Sequence, residues 1–431
     1  MLDIKFIKEN ADLVQKISHE KGYKVDVSET LKLYGEQNSI LQKIEGLRKE
    51  RNELAALSKN SKPTEEHIKR GKEIKSEITN LEESLKKAES DFLVSIKKIP
   101  NIYSDDVPKG TSEDQNIVVK TVGEIPKFKF IPKNHWQLGE AKHWIDKERA
   151  TKVAGTRFAY LMGDFVRLEW ALMRFAMDVL TDEKILKKII KANNLKVSSK
   201  PFIPVLPPYM IKTEQYDAMD RLEPREERYK IEGEDLWLQG SAEHVLGSMH
   251  SDEIFNESEL PLRYVGFATS FRKEAGSYGK DMEGIIRLHQ FNKMELESFS
   301  VKENGMQEHL FFVAIQEYLM QQLNLPYRVV MKCTADIGKP NARGIDIDVW
   351  LPGQNKYRET HTADYMTDYQ ARRLKTRVKR ADNSVELIHT NDATALSQRP
   401  LIAILENNQK EDGSIEVPAC LRPYMLKKKF I

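Results

Sequence analysis

A heptad seam in the first quarter of the chain limits the fold more than any other feature. Ile74, Ile78, Leu81, Leu85, Ala88, Phe92, Ser95 and Ile99 alternate in steps of four and three, and only Ser95 is polar. Such a stretch is a long helix with one apolar edge, and the edge needs a partner. The preceding segment supplies one, with Tyr34, Leu41, Ile44, Leu47, Leu54 and Leu57 at looser helical spacing. Between the two lies NSKPTEEH, where Pro63 stops one helix and Thr64, followed by two glutamates, caps the next. The pattern predicts an antiparallel helical hairpin, a coiled coil whose second helix, at ~36 residues, is roughly 50 Å long. One seam between two helices makes no thick core, so the hairpin is expected to project from the body. Residues 1–26 read as a short strand or helix leading to a turn near Gly22, and Pro100 ends the hairpin.

The texture changes further on. The expected organisation is an N-terminal helical arm over 1–105, a polar, proline-containing connector over 106–135, and a larger domain over 136–431. In that domain, runs such as RYVGFATSF, IDIDVWL and PLIAILEN alternate with amphipathic helices near 164–180 and 306–323. In GIDIDVWLPG, Ile345, Ile347 and Val349 alternate with Asp346 and Asp348, which fits a sheet with one polar face. Few βαβ spacings occur, so the fold class is α+β on an antiparallel sheet.

The chain has 431 residues and a formal charge of only +2, so any nucleic-acid contact must be a local patch. Cys333 and Cys420 are the only cysteines, which argues against a disulfide framework and against structural zinc. No apolar run is long enough to span a membrane, and the charged N-terminus lacks a signal-peptide core. A cytoplasmic protein with no membrane partner is the expectation.

Residues 267–299 hold the chemistry. Arg272 and Glu274 stand two apart, a turn with Gly276 and Gly279 follows, and His289–Phe291 opens a returning strand. Such a hairpin sets an arginine, a carboxylate and a ring over one ligand, which suits a phosphate, an adenine edge and a purine face. No Walker A sequence is present, so nucleotide phosphates must be held by side chains. Arg272 and Arg399, the latter just before an apolar run, are the candidates.

These motifs resemble the class II aminoacyl-tRNA synthetases, and among them the seryl-tRNA synthetases. MLDIKFIKEN, LQGSAEHVLG, LPLRYVGFATSFRKEAGSYGKD, IRLHQFNKMELESF, the GIDIDVWLPGQNKYRETHTADYMTDYQARRL block and VPACLRPYM carry the resemblance, in order, over nearly the whole chain. It implies ATP-dependent attachment of L-serine to serine tRNA through a seryl-adenylate, with selenocysteine tRNA left open as a second acceptor. It further implies a homodimer, paired through the region from 162–177 to PVLPPYM, and a hairpin that grips the long extra arm of the tRNA.

By the same resemblance, Arg272, Lys273, Glu274, Phe291, Glu359, Thr360, His361, Thr362 and Arg399 bind ATP. Arg272 lies on the α-phosphate, Phe291 on adenine and Arg399 on the γ-phosphate; Arg272 and Arg399 are the catalytic pair. Glu359 and Thr362 fall where the family holds Mg²⁺. Ser241, Ala242, Glu243, Arg272, Glu295, Asn391 and Thr394 are implied for serine. One departure stands out. The family has Asn-x-Thr/Ser six residues ahead of its motif 3 arginine, whereas position 393 is Ala and the threonine is Thr394.

Two other readings fit the sequence less well. A homologue that loads an amino acid onto a carrier protein generally lacks a long helical arm, and this chain has one. A catalytically dead tRNA-binding paralogue would not need the motif arginines and glutamates, which are all present. The run ARRLKTRVKR (371–380), with six Lys/Arg in ten, reads as a solvated face or an acceptor-stem contact.

Overall fold

The computed structural model describes residues 1–60, 64–274 and 284–431. Pro63, Gly276 and Gly279 therefore lie outside the described residues. The chain divides into two compact units, Met1–Ile102 and Tyr103–Ile431.

The first unit is helical: α1 (Ile4–Glu9), α2 (Ala11–Glu20), α3 (Val27–Asn60) and α4 (Glu65–Ile96). Residues 1–26 thus contain two short helices rather than a strand. Thr64 caps α4, its hydroxyl accepting from the His67 N–H at 3.2 Å. The pairing of α3 with α4 is antiparallel. Thr30 meets Ser95 (hydroxyls 2.7 Å apart), Tyr34 meets Phe92 (ring centroids 5.3 Å), Arg48 meets Glu82 (2.9 Å) and Glu50 meets Arg70 (2.7 Å). The lone polar residue of the seam, Ser95, is satisfied by Thr30, so it fixes register without leaving a bare hydroxyl. Ile44, Ile74, Ile78, Ile96 and Ile99 are buried, while Leu81, Leu85 and Phe92 are half-buried. A two-helix layer has an open side, and the half-burial is its consequence.

The second unit is built on eight strands: β1 (Ile117–Val122), β2 (Ile203–Val205), β3 (Leu262–Phe271), β4 (Gln290–Ser300), β5 (Tyr327–Met331), β6 (Arg343–Leu351), β7 (Lys356–Thr367) and β8 (His389–Ser397). Their order across the sheet is β1-β5-β6-β7-β8-β4-β3-β2. Every neighbouring pair is antiparallel except β2 with β3. The expected connector is corrected here, because β1 lies within residues 106–135 and forms an edge of this sheet. Ile117, Val118 and Val119 are all exposed, so the strand carries no alternation to read.

The helices that matter for the site are α5 (Asp164–Thr181), α6 (Thr213–Ala218), α7 (Glu243–Ser248), α8 (Gly305–Gln322) and α9 (Gln398–Asn407). Phe165, Leu168 and Leu172 of α5, Phe311, Phe312 and Ile315 of α8, and Leu401 and Leu405 of α9 share one core with Val265, Leu296, Ile345, Ile347, Val349, Ala363 and Ala393 of the sheet. Asp346 and Asp348 project from the other face of β6. That face is the floor of a cleft. Among the described residues no helix is long and apolar enough to cross a membrane.

Candidate active site

Two bulges decide which side chains enter the cleft. In an uninterrupted strand, residues three apart face opposite ways. Between β6 and β7, Asp348 pairs with Glu359 and Ile347 with His361, so Thr360 is an extra residue. Glu359 and Thr362, three apart, consequently share the cleft face with Asp348 and Asp346. His361 follows Ile347 to the core face. Between β8 and β4, Thr394 pairs with Glu295 and Leu396 with Met294, leaving Ala395 as the extra residue. Thr394 and Asp392 stand on the cleft face; Ala393 and Asn391 stand on the other.

From beneath the sheet, Gln316 of α8 ties the two bulged strands together. Its side-chain amide donates to the Thr362 carbonyl at 2.7 Å and to the Thr394 carbonyl at 2.9 Å.

The cleft comprises two cavities that share Arg287, Glu359, Thr362 and Arg399. One, of about 150 Å³, is lined by Glu243, Arg272, Glu274, Phe291, Lys293 and Thr394, among others. The other, of about 760 Å³, reaches Lys332, Asp346 and Arg328. The larger falls in the ~300–1,000 Å³ range usual for small-molecule sites.

Arg272 follows β3 directly. Its Nε donates to the Gly240 carbonyl at 2.9 Å, and its guanidinium lies 5.4 Å from the centroid of the Phe291 ring. The Glu274 carboxylate pairs with Arg287 at 2.9 Å. Arg399, in the first turn of α9, donates to the Glu359 carbonyl at 2.9 Å and pairs with its carboxylate at 3.1 Å. The Phe291 ring, three arginines and the Glu274 and Glu359 carboxylates thus face one space.

At the inner end, Ser241 Oγ donates to Glu295 Oε1 at 2.9 Å and accepts from Lys293 Nζ at 3.2 Å. Lys293 also pairs with Glu295, and with Glu243 at 3.9 Å. Burial pushes the Glu243 carboxyl up, but Lys293, His244 and Arg221 outweigh it and hold it well below the usual range. Burial pushes Glu295 up, against the pull of Lys293. The end of the cleft therefore holds anchored polar groups suited to an ammonium and a hydroxyl.

Four expected contacts are corrected by the geometry, and a fifth, Thr360, lines both cavities with its hydroxyl turned inward. The His361 ring is fully buried on the core face, with Nδ1 2.8 Å from the Thr360 hydroxyl, so it does not reach the cleft. Thr360 borders the cleft, but its hydroxyl donates inward to the Ile347 carbonyl at 3.0 Å. Asn391 is fully buried and donates to the Gly305 carbonyl at 3.1 Å, on the α8 side of the sheet. Ala242 packs in an apolar cluster with Leu246 and Ala268. Lys273 is exposed over Tyr229, its Nζ 5.5 Å from the ring centroid.

Lys293, Lys332, Arg221 and Arg287 belong to the site without a sequence motif that marks them, and Asp346, read from sequence only as part of a polar sheet face, joins them. Lys293 had a signal, since Phe291, Lys293 and Glu295 keep period two along one strand. The basic run 371–380 turns largely to internal pairing: Arg372 with Asp368, Arg373 with Asp217 and Asp220, Arg377 with Asp252, and Arg380 with Glu257 and Glu303.

An antiparallel sheet whose cleft sets an Arg-x-Glu pair, an aromatic platform and a helix-borne arginine around one space is the core of a class II aminoacyl-tRNA synthetase. Residues 227–408 match the family model described as the tRNA synthetase class II core domain (G, H, P, S and T), and residues 1–103 match the seryl-tRNA synthetase N-terminal domain. The chain is 39% identical to a serine–tRNA ligase of Thermodesulfovibrio yellowstonii, over 99% of each protein. It is 38% identical to that of Syntrophotalea carbinolica, over 99% of this chain and 98% of the relative. A crystal structure of seryl-tRNA synthetase from Pyrococcus horikoshii complexed with ATP superposes with a TM-score of 0.89 at 36% identity, covering 100% of this chain and 99% of the other. The chain belongs to the seryl-tRNA synthetase family.

Proposed function

We propose that this chain attaches serine to serine tRNA in two ATP-dependent steps, and that the cleft face of its sheet performs the first. The observation that carries the reading is the convergence of Arg272, Phe291 and Arg399 with Glu243, Lys293 and Thr394 around one continuous cleft. Adenine stacks on Phe291, with Glu274 at its edge. Arg272 lies on the α-phosphate and Arg399 on the γ-phosphate. Glu243 and Ser241 receive the serine ammonium, while Thr394 and Glu295 pair with its hydroxyl. The serine carboxylate attacks the α-phosphorus and pyrophosphate leaves in line. No side-chain nucleophile is needed, because catalysis is positioning and charge neutralisation. A site built to pair a hydroxyl rejects alanine strongly, whereas threonine is excluded by bulk. In the second step the seryl group passes to the terminal ribose of the tRNA.

Mg²⁺ fits the outer end of the cleft. Among the described residues no group of three or more His, Cys, Asp or Glu is arranged to hold a metal alone. Glu359 and Thr362 offer two hard oxygen donors on one face, the pattern of an ion shared with nucleotide phosphates. When bound, the ion would neutralise phosphate charge.

The hairpin is assigned to the tRNA, and residues 162–177 and 204–210 to a homodimer interface. Trp170 and Leu206, 72% and 82% exposed in the single chain, favour the second assignment. A cytoplasmic location goes with the activity, since charged tRNA feeds translation.

ATP–pyrophosphate exchange measured with each amino acid, without tRNA, tests the reading. Serine should be preferred over all others. Exchange favouring another amino acid, or none with any, would sink it. Replacing residues 31–99 by a short linker should leave exchange largely intact and abolish efficient tRNA charging; unimpaired charging would remove the hairpin from tRNA recognition.

A further inference from the structure

Beneath the serine end of the cleft lies a second layer of charge that the reaction does not use directly. Cross-strand register sets Thr394 opposite Glu295 and Asp392 opposite Glu297, so four adjoining positions carry three carboxyl groups. Asp392 and Glu297 are buried, and among the described residues neither Glu297 oxygen has a hydrogen-bond partner. Burial raises both carboxyls well above the usual range against the downward pull of Arg221, and two carboxylates so opposed would push the strands apart. Two cations bracket the square. Lys293 holds the Glu295 end, and Arg221 holds the Asp392 end.

Arg221 does not come from the sheet. It follows α6, and its guanidinium reaches Asp392 Oδ2 at 3.1 Å, Asn341 Oδ1 at 3.4 Å and Asp364 Oδ2 at 4.0 Å. Asp364 is also 3.7 Å from Lys332 Nζ, which lies 3.8 Å from Asp346, the acceptor of the Thr362 hydroxyl. Alternating charges thus run from the proposed metal end to the serine end: Asp346, Lys332, Asp364, Arg221, Asp392. The backbone of the same segment braces the phosphate end separately. Arg228 Nε donates to the Arg221 carbonyl at 3.2 Å, and the Arg228 guanidinium lies 5.7 Å from the Tyr216 ring centroid. The Tyr216 hydroxyl accepts from the Gly240 N–H at 3.2 Å, and the Gly240 carbonyl is the one that Arg272 grips.

We propose that Arg221 is a positioning residue for the amino-acid end of the cleft: by pairing with Asp392 it holds β8 against β4 and keeps Thr394 and Glu295 at hydroxyl-binding distance from serine. This rests on the assignment of that end to serine. Removing the guanidinium leaves Asp392 facing Glu297 without a counter-charge, and the strand must shift or take up a proton. Arg272 is spared, because its brace runs through the Arg221 backbone, and the metal end keeps the Lys332–Asp346 pair.

The test is ATP–pyrophosphate exchange by the full chain. Arg221→Met should raise the serine KM by about tenfold or more, with the ATP KM within about twofold of wild type. Arg221→Lys, which restores a charge in the same place, should recover much of the loss. Asp392→Asn should also raise the serine KM, and Arg221→Met/Asp392→Asn should raise it by less than the product of the two single changes, the signature of residues acting through each other. A serine KM unmoved by Arg221→Met, an equal rise in both KM values, or multiplicative single effects would overturn the proposal. If Arg221→Met does not fold, Arg221→Lys and Asp392→Asn carry the same comparison. Wild-type protein that shows no serine-dependent exchange would instead defeat the functional reading itself.

Discussion

On one face of the central sheet Leu296, Ile345, Ile347, Val349 and Ala393 pack beneath α8 and α9; on the other, Lys293, Glu295, Asp346, Asp392 and Thr394 line or underlie the cleft. The same strands build both. The core face settles its buried polar groups internally, Arg263 against Glu308 at 2.6 Å, Asn391 at the Gly305 carbonyl and Gln316 at the Thr362 and Thr394 carbonyls. The cleft face instead gathers charges that pair with each other and, in the proposed reaction, with substrates. Which face a residue joins is set by strand parity and by the bulges at Thr360 and Ala395, so neighbours in sequence separate cleanly into substrate contacts and structural supports.

The sharpest way to break this contrast is at Arg272. Arg272→Ala should lower serine-dependent exchange by about 10²–10³, the usual loss of one charge-stabilising donor. Thermal stability should change little, because the side chain lies on the cleft rather than in the core. Near-wild-type exchange would take Arg272 off the α-phosphate.

Thr394→Val should have the next largest effect, raising the serine KM by about tenfold and weakening rejection of alanine, since an unpaired buried hydroxyl costs ~1–3 kcal/mol. An unchanged serine KM would show that Glu295 or a water carries the hydroxyl. Asn391→Ala is the matched control from the other face. It removes a buried hydrogen bond worth about 1–3 kcal/mol of stability, so the melting temperature should fall while the serine KM stays where it was. A raised serine KM with unchanged melting would move Asn391 to the cleft.

The smallest effect concerns His361. Burial lowers its pKa from the ordinary 6.5 to about 3. Below pH 6.5 the unfolded chain therefore takes up this proton before the folded chain does. The contribution is whole above the unfolded value and is lost as pH falls toward the folded one, reaching roughly 2 kcal/mol at about pH 5. His361→Gln should lose less stability than wild type between pH 7 and 5. Equal losses would mean that the ring is not held neutral in the core.

The hairpin and the polar alternation of β6 were legible because each is a local period: a heptad seam in α4, and Ile345, Ile347 and Val349 against two aspartates. Arg272, Glu274, Phe291 and Arg399 were legible as residue types in motifs, and all four line the cleft. Legibility stopped where a bulge intervened. ETHT and NDAT read as continuous segments, and nothing local announces that Thr360 and Ala395 are extra residues that reset the alternation. The resemblance implied both His361 and Asn391 as contacts; the Thr360 bulge turns His361 away, whereas plain alternation already sets Asn391 opposite Thr394. Arg221 was missed for another: its partners Asp364 and Asp392 lie on strands more than a hundred residues away, and only the folded sheet brings them together. The edge strand β1 escaped because its apolar residues face solvent.

A crystal structure with a non-hydrolysable seryl-adenylate analogue tests the two-face account most directly. It should show the serine hydroxyl at Thr394 or Glu295, the phosphate surrogate at Arg272, adenine on Phe291, and no ligand contact from the side chains of His361 or Asn391. A serine moiety held by Asn391, or an adenylate contacting the His361 ring, would contradict it.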